Sequence, residues 1–214
     1  MGPGERSVKG GRAYDGAGRQ ERARRQHQVT LDEAQALFLE RGYVATTVEA
    51  VATAAGVSAA TVYKSYGGKA GLARSLCERA LGGVGPIPAE ERSNALRAHP
   101  DPRTLIDGWG RLAAEVAPQI APLLLLLRDA AQGDRDAAAL YDELDRARLR
   151  RMADNAGVLA ARGHLRAGLT SQDARDVLWT CSAPELFDLL VRRRRWSVTR
   201  YSRFISDTIA SALL

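Results

Sequence analysis

The chain has 214 residues, 45% hydrophobic and 26% charged, with 31 Lys and Arg against 25 Asp and Glu. This is an ordinary globular balance for one large domain or two small ones, and the net charge of +6 favours polyanionic partners without specifying a fold. Two distant cysteines, Cys77 and Cys181, argue against a disulfide framework. The longest apolar run, 121-APLLLLL-127, is far short of the roughly 18 residues a membrane span needs.

Residues 1–22 are rich in Gly and Arg and poor in large apolar side chains, so they read as a disordered basic arm. The stretch has no apolar core of the signal-peptide type. Its cations, Arg6, Lys9, Arg12, Arg19 and Arg22, continue into Arg24 and Arg25. Either they solubilise a tail or they lie against nucleic-acid phosphates.

Everything after the arm reads as helix, which makes the fold class all-α. A first helix is expected over about 26–41, with Ala34, Leu37 and Phe38 on one face and Gly42 as its stop. The next segment, 46-TTVEAVATAAGVSAATVYKSYGGK-69, holds two short helices. Thr46 or Thr47 caps the first; with Thr46, Glu49 would complete a capping box. Gly56 supplies the turn, because a helix end passes through positive φ there without a Cβ clash. Ser58 caps the second helix, about 59–66. Helix, short glycine turn, helix is a helix-turn-helix, whose second helix can enter a major groove by its N-terminal residues. Small side chains at Ala52, Ala55, Ala59 and Ala60 allow close approach. Lys69 opens the following helix, about 69–81, and forms a second phosphate clamp with nearby backbone N–H groups.

The Gly- and Pro-rich run 82–102 reads as a boundary between two modules. Asp101 and Pro102 then start a helix that ends near Pro118. Further helices are expected over about 119–131, 136–162, 171–194 with a kink at Pro184, and 198–213. The charged run 142-DELDRARLRR-151 reads as a solvated face laced with i,i+3 and i,i+4 pairs. Arg192 to Arg195 read as a solvated helix terminus. No nucleophile elbow, phosphate loop or dinucleotide fingerprint is present, and the histidines His27, His99 and His164 lack metal-ligand spacing. No catalytic residue, cofactor or metal is therefore expected.

The segment 34-AQALFLERGYVATTVEAVATAAGVSAATVYKSYGGKAGL-72 resembles the DNA-binding domain of the tetracycline-repressor (TetR) family of bacterial regulators. The residues that carry the resemblance run in the family's order, from Leu37, Phe38 and Gly42 through Thr47, Gly56, Val57 and Ser58 to Tyr63, Tyr66 and Lys69. The tail 177–209 resembles the end of the family's regulatory domain in a form common among actinobacterial members. The resemblance implies a cytoplasmic homodimer on a palindromic double-stranded operator, with a small-molecule effector pocket in the C-terminal module. It places phosphate contacts on Thr47, Ser58, Tyr63, Ser65 and Lys69, and base-facing positions on Ala59, Ala60 and Thr61. Two alanines offer only methyl contacts, so base hydrogen bonding falls to Thr61, Lys64 and Glu49. The implied domains are 23–82 for DNA binding and 83–214 for sensing and dimerisation, the latter through helices about 171–194 and 198–213. The alternative is a ligand-independent helical DNA-binding protein with a solid core.

Trp109, Leu124, Leu127, Met152, Trp179 and Phe187 are bulky and apolar. They are either ordinary core or the lining of a cavity between bundle helices, with Arg128, Arg111 or Asn155 as polar anchor.

Overall fold

The computed structural model describes residues 13–214, which form ten α-helices and no strand. Part of the arm expected over residues 1–22 is helix. Residues 1–12 lie outside the described residues, and residues 13–22 are the start of α1, Ala13–Arg41. Its first described side chains are exposed, and Arg25 Nε reaches back to Glu21 at 3.2 Å. Low hydrophobicity argues against a packed core, but it does not stop a buried helix from extending outward on its own backbone hydrogen bonds.

The middle of α1 buries Leu31, Ala34 and Phe38. α2 (Val48–Ala54) is capped by Thr47, whose side chain accepts from Ala50 N at 3.1 Å. Thr46 is not the cap. It is buried, and its hydroxyl donates to Gly42 O at 2.8 Å. Gly56 turns at φ +67°, and α3 (Ala59–Tyr66) starts at Ser58, which accepts from Thr61 N at 3.1 Å. Gln26 Nε2 donates to Ala55 O at 2.8 Å, and the Tyr66 hydroxyl donates to His27 O at 3.1 Å, so α1 braces both short helices. α4 runs Lys69–Gly82.

The run between α4 and Pro102 is not all linker. α5 (Ala89–Leu96) lies within it, with Glu90 and Glu91 in the first turn, where they complement the helix dipole. Arg92 of α5 grips Glu115 with two hydrogen bonds of 2.8 and 2.5 Å. That tie fastens the segment to α6 and fixes it as structure.

α6 is one helix, Pro102–Ala130, and not two divided near Pro118. Pro118 and Pro122 sit inside it, four residues apart and so on the same side; Pro118 is exposed. The opposite side buries Ala117, Ile120, Ala121, Leu123 and Leu124, and this packing outweighs two missing backbone donors. By length and composition α6 passes for a membrane span, yet it is the central helix of the bundle, packed on α4, α7, α9 and α10.

α7 spans Arg135–Ala161 and α8 Ser171–Cys181. The helix expected over 171–194 is broken, where a kink was expected. Ala183 is extended and Pro184 begins a new short helix, α9 (Pro184–Phe187), which widens into a π-helical turn over 188–193. The residue before a proline is driven out of the helical region by the ring, which accounts for the break. Arg192 and Arg193 both pair with Asp188, and Arg195 takes φ +57° before α10 (Val198–Leu213).

Two hydrophobic cores result. One joins Leu31, Phe38, Val51, Val62, Leu72 and Leu76 to Ile120, Leu127 and Leu140. The other joins Leu105, Trp109 and Leu159 to Leu178, Phe187, Tyr201 and Ile205. The chain boundary expected at 82/83 is where α4 stops. The first core, however, continues into α6 and α7, whose Ile120, Leu127 and Leu140 join Leu72 and Leu76 of α4 in one cluster.

Candidate nucleic-acid interface and internal cavity

α3 presents its N-terminal turn to solvent. Ser58 and Thr61 share a hydroxyl–hydroxyl hydrogen bond of 2.9 Å, and Ala60, Thr61, Lys64 and Ser65 are exposed. Ala59 is half-buried against the first core, so its methyl packs inward. Tyr63 is 51% exposed. Thr47 is exposed at the start of α2, beside exposed Glu49. The five exposed hydroxyls of Thr47, Ser58, Thr61, Tyr63 and Ser65, the N-termini of α2 and α3 and Lys64 offer donors and positive potential, which is what phosphate contacts use.

Lys69 differs from the rest. Its ammonium lies 3.7 Å from Asp134 Oδ2 and 4.4 Å from the centre of the Tyr43 ring, and it is three-quarters buried. Asp134 is also the N-cap of α7, accepting from Ala137 N at 2.9 Å. Burial first, then the Asp134 and Asp136 charges, push the Tyr43 phenol up to about 12.

A second tie joins the same helices. Arg74 of α4 makes a two-armed ion pair with Glu143 of α7, one arm at 2.7 Å. The arginine holds the Glu143 carboxyl below its ordinary range. α4 is thus clipped to α7 at two places.

In the C-terminal part, α5 to α10, with Leu81 of α4, line a cavity of about 390 Å³. Of the seven residues expected there, Trp109, Leu124, Met152 and Phe187 line it. Leu127 does not, since it is buried in the first core. Arg128 is turned outward into ion pairs with Asp129 at 2.9 Å and Glu185 at 2.7 Å. Trp179 stands behind the wall, with the Arg148 guanidinium 4.7 Å above its ring. Of the alternative anchors, Asn155 lines the cavity and Arg111 is exposed.

The polar wall was not expected. Asp145, Arg148 and Arg151 line the cavity, although the run that holds them reads as a solvated face. The signal was present in the spacing: Tyr141, Leu144, Asp145, Arg148 and Met152 follow 3- and 4-residue steps and share one side of α7. Cys181 and Tyr201 also face the cavity, and burial raises the Tyr201 phenol to about 12.

Residues 31–76 match the family model described as bacterial regulatory proteins, tetR family. The chain is similar in structure to NalD, the secondary repressor of the MexAB-OprM multidrug efflux pump in Pseudomonas aeruginosa. That likeness has 22% sequence identity, a TM-score of 0.72, and covers 91% of this chain and 98% of NalD. It is also similar to the SmeT–triclosan complex, with 19% identity, a TM-score of 0.69, and 88% and 91% of the two chains covered. The fatty acid degradation regulator FadR from Bacillus halodurans gives 17% identity and a TM-score of 0.67, covering 86% of this chain and 94% of that one. No curated protein matches the chain. At these identities the likeness to solved structures is one of fold.

Proposed function

We propose that this chain, a tetR-family transcription regulator by its residues 31–76 and its fold, is a ligand-responsive repressor that binds a palindromic operator as a homodimer. Residues 23–82 act as the DNA-binding head and 83–214 as the sensing and dimerising body. Each dimer lays two α3 helices in successive major grooves, about one helical turn or roughly 34 Å apart. Thr47, Ser58, Tyr63, Ser65 and Lys69 hold phosphates, and Ala60, Thr61 and Lys64 face bases. The exposed arginines at the start of α1 add sequence-independent affinity. The dimer forms through α8 and α10, where Phe204 stacks edge-on against Trp196 and is 37% exposed. The setting is the cytoplasm, where such a protein meets DNA.

One observation carries this reading. α6 and α7 wall the cavity, and the same two helices complete the core of the head through Ile120, Leu127 and Leu140. A ligand that prefers one packing of α6 and α7 therefore has a direct mechanical route to α4. It shifts the heads by its differential affinity for the two states. The cavity also favours a sensor over a ligand-independent DNA-binding protein, for which a solid body would serve.

The test is a footprint on the DNA flanking the protein's own gene, repeated with a panel of small molecules. A protected palindrome that one compound releases is expected. The absence of any protected palindrome would overturn the reading.

A further inference from the structure

We propose that the cavity takes an elongated, uncharged lipophile bearing a hydrogen-bond acceptor, and that it discriminates against carboxylates and ammonium ions. This rests on the cavity being the effector site proposed above. The lining runs along α7 from Tyr141 to Asn155, a rise of about 20 Å at helical pitch, so the space is long. Most of the wall is apolar, with Leu112, Val116, Leu178 and Ile205 among the side chains that form it.

The charged groups in the wall are already matched with one another. Arg148 donates to Trp179 O at 2.7 Å, to Ser182 Oγ at 3.2 Å and to Asp145 Oδ1 at 2.7 Å. Arg151 donates to Asn94 Oδ1 at 2.6 Å and pairs with Glu90. Neither guanidinium stands open for a ligand carboxylate, and each wall carboxylate has its arginine. A charged ligand head would either lie unpaired in an apolar space or break one of these pairs, and both are costly.

What the wall leaves open is a set of donors. Asn155 is buried, and its carbonyl accepts from Arg97 Nε at 3.0 Å, which leaves the amide N–H₂ without a partner among the described residues. The Tyr141 and Tyr201 hydroxyls likewise make no hydrogen bond among the described residues. Burial raises both phenols, so they stay protonated and donate. By contrast, the Trp109 indole N–H already donates to Ser93 O at 3.4 Å. Unpaired donors in an apolar tube select an acceptor, such as an ester, ketone or ether oxygen.

The test uses the full chain without DNA and three probes with the same ten-carbon chain: methyl decanoate, decanoate and decylammonium at pH 7. Binding is read by tryptophan fluorescence, with thermal melting as a second measure. Methyl decanoate is expected to bind at least about tenfold more tightly than either ion, because only the ions bury an unpaired charge. Tyr201→Phe or Tyr141→Phe should weaken the ester about fivefold, the value of one hydrogen bond, with the melting temperature of the unliganded protein retained. An ion binding as tightly as the ester, no probe binding, or both tyrosine variants binding the ester as wild type would overturn the proposal. The footprint separates the two readings. Ester binding without release of DNA overturns the repressor reading and leaves the ligand class standing. Release by an ionic compound in place of the ester does the reverse.

Discussion

The Lys69 ammonium of α4 sits 3.7 Å from the Asp134 carboxylate that caps α7, and the same ammonium lies over the Tyr43 ring. The residue proposed to clamp a phosphate is thus held by a carboxylate from the other half of the protein. DNA and Asp134 compete for one cation. Asp134→Asn keeps an N-cap and removes the competing charge, so affinity for DNA should rise several-fold, with little change in stability. Lys69→Ala should weaken binding to all sequences and lower the salt slope by about 1. Binding isotherms at several salt concentrations check both. Two variants that bind like wild type at every salt concentration would remove Lys69 from the interface.

Ser58 has two roles that one pair of substitutions separates. It caps α3, and in the proposed function it also holds a phosphate. Ser58→Ala should cost about 1 kcal/mol of stability and weaken DNA binding. Ser58→Asp retains a good cap, further favoured by the helix dipole, yet repels phosphate. Its melting temperature should match wild type while its operator affinity collapses. A gel-shift titration beside a thermal melt reads both, and full affinity in Ser58→Asp would show that this end of α3 stays away from the backbone.

Gly71 is a packing requirement inside α4. A Cβ there would stand 1.6 Å from Tyr66 O and 2.7 Å from its carbonyl carbon, which are backbone atoms that cannot swing aside. Gly71→Ala should therefore destabilise by about 3 kcal/mol, in spite of alanine's better helix propensity, by forcing α4 off α3. The urea midpoint measures it. A midpoint at or above the wild-type value would mean that α3 and α4 part without cost.

Glu115 makes stability fall in acid. Hydrogen bonds from Arg92 are the main reason its carboxyl is held down at about 2 against an ordinary 4.5, and Val84 N at 2.6 Å adds to them. The folded value is depressed, so the contribution is complete above pH 4.5 and is lost as pH falls from there toward 2. Asp101, Asp173 and Glu143 are shifted in the same direction. Urea midpoints at pH 7, 4.5 and 2.5 should decline, and Glu115→Gln should start lower at pH 7 and decline less. Parallel curves for the two proteins would assign the acid sensitivity elsewhere.

The helix-turn-helix was legible in the sequence because each of its instructions is local. A hydroxyl three residues ahead of an orphan N–H, or a glycine at a positive φ, acts over one turn, and so Gly56 and Ser58 do in the structure what their neighbours imply. The choice between Thr46 and Thr47 was not local. It turned on which side chain the end of α1 buries, and the Thr46 hydroxyl is taken up there by Leu37 O at 3.2 Å, nine residues back. The same holds for Pro118 and Pro122. By themselves they argue for a stop, and only the apolar face packed behind them keeps α6 whole.

The sequence by itself determined the all-α class, the two capped helices with their glycine turn, and the basic, hydroxyl-rich surface. Tertiary structure decided which side of α7 looks inward. Helical periodicity marks a shared face but carries no sign for it, so Asp145 and Arg148 look like solvent-facing charges until α8 packs against α7 there. It also decided that Lys69 has a carboxylate partner sixty-five residues away, because an ion pair across that much chain exists only once α4 and α7 are packed together.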